Sequence, residues 1–291
     1  MTNDILKSDK KYPDVKFENY VRIAHEAPLD IFHDVAKRTH YDYYLVHLFD
    51  TLPEYKKLAM TSNERGRESI LDNSIFELGT AFDAIKYRLY IEKMKPTWYI
   101  VPDALEDYET TMTQMRDWKS DGYYDHSKSI GVVQGKTYDE LVDCYRYMAE
   151  NNDMIAISFD LSYYETRDDV QKYKTKLEKW CYGRQMTLYD MYTQGIINRR
   201  MPHHLLGCSL PQEFAFYRHW VWIYSCDTSN PVVAGMSNMR YERQPEYDIW
   251  GLSDKPSKKL YTMIEEEVKD EQLEHIKHNI TKFDYNINGW G

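Results

Sequence analysis

Five short apolar runs of the chain end in a polar side chain that could do chemistry. The residues at these ends are Asp72, Asp103, Gln134, Asp160 and Asp227. Carboxylates serve as nucleophiles and proton carriers, and an amide can read the polar edge of a bound ring. An aspartate after a strand often caps the next helix, but five endings in succession are typical of an α/β barrel, whose strands converge on one mouth. The series therefore predicts one shared site.

Strand-like and helix-like patterns alternate along the chain, and they predict how these endings meet. Apolar runs of strand length lie at 20–24, 43–49, 69–71, 98–101, 130–133, 154–158, 204–208 and 221–225. Helical patterns lie at 29–40, 54–60, 80–95, 108–119, 138–150, 211–218 and, in the tail, 255–282. Eight units predict an α/β fold, a (β/α)8 TIM-like barrel with an insertion after strand six and a C-terminal helix. An open doubly wound sheet is the alternative, but its usual glycine-rich first turn is missing.

The same patterns predict the division of the chain. Residues 1–18 are polar and lack a period, which predicts an N-terminal arm. Residues 19–291 are predicted to form a single barrel. It includes a basic insertion around 161–203, because the stretch between strands six and seven is longer than one barrel helix.

Composition narrows the class of protein. The 291 residues are 42% hydrophobic, and the mean hydropathy of −0.72 is typical of a soluble chain. The N-terminus has no apolar signal region and no run approaches the ~18 apolar residues of a membrane span, so we expect a cytoplasmic protein (host cytoplasm if viral) without a membrane partner. The four cysteines are scattered, which indicates neither a disulfide framework nor a cysteine zinc site. We expect no metal and no cofactor.

The charge is unevenly distributed. A net charge of −10 argues against a dedicated nucleic-acid binder, because neutralising phosphates needs Lys and Arg. Residues 170–200 are nevertheless basic and interleaved with aromatic rings, and the cations assigned to nucleic acid there are Lys172, Lys176, Arg184, Arg199 and Arg200. This combination suits a groove for a nucleic-acid strand. The alternative is a charged outer helix whose aromatic residues pack on the barrel.

Five sequence blocks, in order between about residues 68 and 240, resemble one enzyme family. They are DNSIFE at 72–77, VPD at 101–103, GVVQG at 131–135, LLGCSLP at 205–211 and CDTSNP at 226–231. Together they resemble the tRNA-guanine transglycosylases, and in particular the bacteriophage-type relatives that insert 7-deazaguanines into DNA. The ordered set is more specific than any one block.

The resemblance implies a function and assigns roles to residues. The enzymes exchange guanine in a polynucleotide for a 7-deazaguanine, such as 7-cyano-7-deazaguanine, through a covalent glycosyl–aspartate intermediate. Asp227 is then the nucleophile and Asp72 the general acid/base. Asp103 accepts from the N–H groups of guanine and Gln134 donates to its O6. The remaining residues assigned to the base are Phe76, Ser74, Ser158, Leu206 and Gly207, and Arg240 is assigned to nucleic acid.

Differences between this sequence and the family's pattern change which polymer is expected as the substrate. The tRNA enzymes carry a zinc site of cysteines and a histidine that this sequence lacks, and Ser158-Phe159 stands where the family has Gly-Gly. With the additional basic segment, these changes favour DNA as the partner, with tRNA second and a homodimer as a further possibility.

Several alternatives remain open at the level of sequence. Phe76 and Leu206 could simply pack in the core. A nucleosidase or glycoside hydrolase would use the same carboxylates with water as acceptor, and a non-catalytic subunit would only bind nucleic acid. His25 and Glu26 follow the first strand and could line the mouth. His203 and His204 precede the predicted seventh strand, which puts them at the far end of the barrel.

Overall fold

Eight parallel strands form a nearly closed barrel in the computed structural model, which describes residues 20–289. The strands are β1 Arg22–His25, β2 Asp42–Leu45, β3 Ser69–Asp72, β4 Trp98–Ile100, β5 Lys128–Val133, β6 Met154–Ile157, β7 His203–Leu205 and β8 Ile223–Thr228. Each strand from β2 to β7 pairs with the next, and β8 pairs with β1. The predicted (β/α)8 barrel is confirmed, whereas the predicted arm at 1–18 lies outside the described residues.

The ring lacks one ladder, between β1 and β2. These two strands are joined near their beginnings, where the backbone N–H of Ile23 donates to His40 Nδ1 (2.8 Å) and the N–H of His40 donates to the carbonyl of Ile23 (2.9 Å). Elsewhere the strands are almost wholly buried, and all four residues of β6 are apolar. Continuous apolar strands are what a parallel sheet needs when helices cover one face and the barrel interior the other.

Helices connect the strands on the outside. They are α1 Phe32–Ala36, α2 Leu48–Thr51, α3 Pro53–Glu64, α4 Ile75–Leu78, α5 Ala84–Met94, α6 Tyr108–Ser120, α7 Tyr138–Asn151, α8 Tyr163–Thr166, α9 Lys176–Thr193, α10 Asn230–Met236 and α11 Asp270–Asn288. Capping boxes start α7, at Thr137 and Glu140, and α9, at Thr175 and Glu178. Each box satisfies two backbone N–H groups that the first turn leaves without partners. None of the helices between residues 20 and 289 has the length and apolar character needed to cross a membrane.

The segment between β6 and β7 is largely an ordinary barrel connection. The helix α9 runs from the mouth back to the start of β7, as a barrel helix must. Only α8 and the 3-10 turn Asp168–Val170 are additional, and both precede α9. The predicted insertion at 161–203 therefore reduces to a short extension on the mouth side.

The predicted tail helix at 255–282 is wrong at its beginning. Residues 255–269 contain only the 3-10 turn Leu260–Thr262, and α11 starts at Asp270. The segment is tied to the loop after β1, where Leu29 donates its N–H to the carbonyl of Ile264 (2.9 Å). Leu260 and Ile264 are buried there, so their four-residue spacing resembled a helix without forming one. Pro256 also disfavours helical backbone at the residue before it.

A strand end, a helix type and a hairpin also differ from the predictions. The second strand was predicted at 43–49 but ends at Leu45, because an unbroken apolar run does not separate a strand from the helix after it. Residues Pro211–Tyr217 form a 3-10 rather than an α-helix. A two-stranded hairpin, β9 Glu242–Gln244 and β10 Ile249–Gly251, was not predicted.

Candidate active site

A cavity of about 340 Å³ opens at the carboxyl ends of the barrel strands. All five strand-end residues line it: Asp72, Asp103, Gln134, Asp160 and Asp227. Four other residues assigned to the base line it as well, Phe76, Ser158, Leu206 and Gly207. The barrel thus brings together side chains from β3 through β8.

Asp72 is held at both of its carboxylate oxygens. The hydroxyl of Tyr43 donates to one oxygen and the backbone N–H of Ser74 to the other. Burial, followed by the nearby carboxylate of Glu77, raises the pKa of Asp72 well above its ordinary range. A carboxyl group in this environment retains a proton that an ordinary surface aspartate loses, so Asp72 is suited to donate one.

Ser74 does not line the cavity, and the prediction that it contacts the base is therefore wrong. Its side chain is fully buried, its φ is +61°, and its Oγ accepts from the backbone N–H of His47 (3.3 Å). Asn73 closes the same turn by accepting from the N–H of Ile75 (3.0 Å). The turn aims the N–H of Ser74 at Asp72, so Ser74 acts on the site through its backbone.

Asp227 is held at one oxygen only. Its Oδ1 accepts from His204 Nε2 (3.0 Å) and from the backbone N–H of Gly207 (3.2 Å). Within residues 20–289, no group donates a hydrogen bond to its Oδ2. On the far side of the imidazole, the hydroxyl of Ser225 lies 2.8 Å from Nδ1 and can donate to it. This arrangement orients the carboxylate and keeps one oxygen available for attack on a ligand.

His204 and Tyr43 join the two aspartates beneath the cavity. Their rings lie parallel, with centroids 6.1 Å apart. The sequence placed His204 at the far end of the barrel, and that interpretation is wrong. Because β7 is only three residues long, its middle residue already lies just below the mouth. His203 does remain structural: it stacks on Tyr145, and burial lowers its pKa to about 4.

The turn after β7 depends on a glycine and on a buried arginine. Gly207 has a φ of +62°, and a Cβ there would lie 2.5 Å from the ring of Phe159. Arg184 holds this turn from behind by donating to the carbonyls of Leu206 (2.9 Å) and Gly207 (3.2 Å). The backbone N–H that contacts Asp227 is therefore positioned by Arg184.

Arg184 was predicted to bind nucleic acid, and the structure contradicts this. Its side chain is fully buried, and its Nε donates to Glu213 Oε1 at 2.6 Å. The hydroxyl of Tyr217 donates to the same oxygen (2.7 Å). In the sequence Arg184 looked like one more cation of a basic helix, but it lies on the face of α9 that packs against the barrel.

Replacing Arg184 with methionine should lower the free energy of unfolding by about 3–5 kcal/mol, because Glu213 would remain buried without its partner. Urea titration followed by circular dichroism measures the change. The double variant Arg184→Met with Glu213→Gln should recover part of the loss. As a matched control, Arg199→Met removes an exposed cation and should change little. An Arg184→Met variant as stable as wild type would show that the pair does not support the fold.

Asp103 and Gln134 form a preoriented polar pair on the cavity floor. Asp103 accepts from Asn73 Nδ2 (2.7 Å) and from Gln134 Nε2 (2.8 Å). The carbonyl of Gln134 accepts from the backbone N–H of Glu106 (2.9 Å), which fixes the orientation of the amide. Burial raises the pKa of Asp103 to about 6. The amide keeps a second N–H for a ligand and the carboxylate keeps lone pairs, so the pair can read an edge with donors and an acceptor.

Further carboxylates surround the two aspartates. Glu26 also lines the cavity, and burial together with Asp227, Glu77 and Asp72 raises its pKa well above the ordinary range. Burial raises the pKa of Glu77 to about 7. Carboxyl groups with raised pKa values keep protons near neutral pH. Those that are ionised disfavour an anionic ligand on the floor of the cavity. The sequence alone predicts only that Glu26 could line the mouth.

The segment 255–261 forms one wall of the mouth, and the sequence missed it. Lys255, Lys259 and Tyr261 line the cavity from this segment. Lys255 Nζ lies 4.6 Å from the centroid of the Phe159 ring, and Lys259 Nζ lies 4.9 Å from that of Phe76. The sequence pattern predicts the first turns of a helix there, which gives no reason to place the segment near the strands.

The other cations assigned to nucleic acid occupy three regions. Lys172 and Lys176 lie at the mouth end of α9, and both are exposed. Arg199 and Arg200 lie between α9 and β7, at the opposite end of the barrel, so they cannot contact a strand held at the mouth. Arg240 lies on the outer wall, where its Nη2 is 3.1 Å from His278 Nδ1 in the middle of α11. Only the first pair remains compatible with the predicted groove.

The mouth can therefore offer a nucleophilic carboxylate, a proton-bearing carboxylate and a polar pair that can bind the edge of a ligand. All of these groups are side chains. In the part of the chain that the structure describes, no group of three or more His, Cys, Asp or Glu side chains is arranged to hold a metal ion. Comparison of the chain with models of known protein families gives no match, and neither does a search among curated proteins.

Proposed function

We propose that this chain is a base-exchange transglycosylase that replaces guanine in DNA with a 7-deazaguanine, through a covalent intermediate on Asp227. The observation that carries the proposal is the contrast between two aspartates in one cavity. Asp227 has one oxygen held by two donors and the other open. Asp72 has both oxygens held and a raised pKa. Two carboxyl groups in different surroundings can take different roles, one as the nucleophile and the other as the acid.

The chemistry follows the logic of a retaining glycosidase. Oδ2 of Asp227 attacks C1′ of the target nucleotide, the bond from C1′ to the base breaks, and its electron pair stays on the base nitrogen. Asp72 delivers its proton to that nitrogen and becomes a carboxylate. The incoming base returns a proton to Asp72 as its own nitrogen attacks C1′. The bond to Asp227 then breaks, and both aspartates are restored.

Recognition of the base uses the pair on the cavity floor. The N–H donors on the edge of a guanine or a 7-deazaguanine face Asp103, and Gln134 donates its second N–H to the O6 acceptor. Phe76 lines the same cavity, where its ring can stack on the base. Adenine reverses the donors and acceptors of this edge, so it would leave buried polar groups without partners.

DNA is the preferred polymer and tRNA the second. The sequence lacks the family's zinc module, which the tRNA enzymes carry, and it has a basic, aromatic segment at the mouth end of α9. The floor of the cavity lies within the barrel, so a target base must leave its stack to reach it. The reaction is expected in the cytoplasm, or in the host cytoplasm if the protein is viral.

A base-exchange assay tests the proposal. Purified protein is incubated with radiolabelled guanine and with single-stranded DNA, duplex DNA or tRNA in parallel. Incorporation into DNA supports the proposal, and incorporation into tRNA alone would change the polymer. Release of free guanine without incorporation would indicate a nucleosidase, and no reaction with any polymer would favour a non-catalytic role.

Replacing His204 with phenylalanine should lower kcat for exchange by about 10–100-fold with little change in KM. The imidazole donates to Oδ1 of Asp227, and a hydrogen bond to a charged group contributes about 1.5–3 kcal/mol. Steady-state kinetics separates kcat from KM. His204→Gln, which keeps an N–H donor, should recover part of the rate. His203→Gln alters the neighbouring buried histidine without touching Asp227 and serves as control. Wild-type kcat in His204→Phe would contradict the role.

A further inference from the structure

Three aromatic rings form a row along the rim of the mouth. The centroid of Phe159 lies 5.5 Å from that of Phe76 and 6.1 Å from that of Trp180. The rings come from separate parts of the chain: Phe76 from α4, Phe159 from the loop after β6, and Trp180 from the first turns of α9. Phe76 is 38% exposed and the other two are partly exposed. The fold thus assembles a continuous aromatic edge beside the cavity.

Each ring of the row carries a lysine. Lys259 Nζ lies 4.9 Å from the centroid of Phe76, Lys255 Nζ 4.6 Å from that of Phe159, and Lys176 Nζ 4.4 Å from that of Trp180. Lys176 and Lys259 are exposed. Cations beside aromatic rings are the combination that binds a strand whose bases and phosphates are both accessible.

We propose that this rim, made of Phe76, Phe159, Trp180, Lys176, Lys255 and Lys259, binds an unpaired stretch of polynucleotide next to the target base. The inference rests on the proposed function for the identity of the base in the cavity, but binding by the rim does not depend on base exchange. Neighbouring bases stack on Phe159 and Trp180, Phe76 lies between them and the target base, and the phosphates contact the lysines. A duplex hides the faces of its bases within its own stack, so it cannot use this row.

The lysines of the rim place positive charge at the edge of the mouth, and each of them also faces a carboxylate. Carboxylates line the cavity below the lysines, and Glu77 and Asp160 are the two nearest to the rim rings in sequence. On the rim itself, Glu165 accepts from Trp180 Nε1 (2.6 Å) and lies 3.0 Å from Lys176 Nζ. Glu165 thereby fixes the ring and the cation in one arrangement. We expect the phosphates to stay with the lysines at the rim and only the uncharged base to enter the cavity.

The rim includes only a small part of the basic segment predicted at 170–200. Only its mouth end belongs to the rim, through Lys176 and Trp180. Arg199 and Arg200 are excluded by their position beyond the end of α9. Lys255 and Lys259 come from a part of the chain that was not predicted to contact nucleic acid at all.

Fluorescence anisotropy with a labelled, thymine-only DNA 12-mer tests the rim, because a strand without guanine binds but cannot exchange. Phe159→Leu and Trp180→Leu should each raise Kd by about 10-fold, within the range for loss of one stacked base. The double variant Lys176→Gln with Lys259→Gln should weaken binding and reduce its salt dependence. Tyr247→Leu, between β9 and β10, and Lys57→Gln, on α3, change exposed residues that do not belong to the rim; they are matched controls and should bind as wild type.

Two results would overturn the inference: unchanged Kd in the ring and lysine variants, or a blunt-ended duplex binding as tightly as the single strand. The lysines are on the surface, so their double variant keeps the test valid if a ring variant fails to fold. An RNA strand of uridines distinguishes the two sources of an unpaired strand, and binding of either that depends on the rim supports the inference. Strand binding without base exchange would refute the proposed function alone, and exchange without rim-dependent binding would refute the rim alone.

Discussion

Replacing Asp227 with asparagine should abolish base exchange, with a loss of roughly 10⁴-fold or more, as expected when a covalent nucleophile is removed. An amide oxygen can still accept from His204 and Gly207, so the fold and the surrounding hydrogen bonds should survive. The amide lacks the negative charge needed to attack C1′. Incorporation of radiolabelled guanine into DNA measures the loss, and thermal unfolding checks that the variant is folded.

The proposed covalent intermediate gives a second measurement of the same prediction. Wild-type protein incubated with DNA and denatured should show a slower-migrating protein–DNA adduct, and Asp227→Asn should show none. Asp160→Asn is a matched control, because Asp160 lines the same cavity but is not assigned a bond to the sugar. It should still form the adduct. Exchange by Asp227→Asn, or an adduct in that variant, would assign the nucleophile to another residue.

The sequence predicted the architecture because hydrophobic periodicity and strand endings report directly on a barrel. Apolar runs such as Ile130–Val133 must be buried on both faces, and a polar residue directly after such a run lies at the mouth. This local rule was enough to collect Asp72, Asp103 and Asp227 at one cavity. It needs no knowledge of which strands are neighbours.

Features that depend on contacts distant in sequence were not predictable in this way. His204 contacts Asp227 across a parallel strand pair, and its depth depends on where β7 ends. Arg184 looked like a surface cation until its partner Glu213, 29 residues away, was known. The segment 255–261 reaches the mouth because buried side chains and the bond from Leu29 hold its end, and no local pattern encodes that path.

The proton-transfer step should be almost as sensitive as the nucleophile. Replacing Asp72 with asparagine should slow exchange by about 10²–10⁴-fold, the usual contribution of a positioned acid/base group. The asparagine side chain has a single amide oxygen, which can still accept a hydrogen bond from Tyr43 or from the N–H of Ser74. We therefore expect binding of the base to change less than kcat. A measured kcat for exchange close to wild type would move the acid/base role to another carboxyl group, with Glu77 the next candidate.

The pH profile of exchange by the wild-type protein tests this assignment independently. In the proposed mechanism the first half-reaction needs protonated Asp72, so kcat should fall as pH rises through the raised pKa of Asp72. Glu77 contributes to that shift through its negative charge, and its own pKa is about 7. Glu77→Gln removes the charge and should lower the pKa of Asp72, so the alkaline fall in kcat should move to lower pH. Asp72→Asn should lose this fall. If Glu77→Gln left the fall in place, or moved it to higher pH, Asp72 would not be the group that titrates.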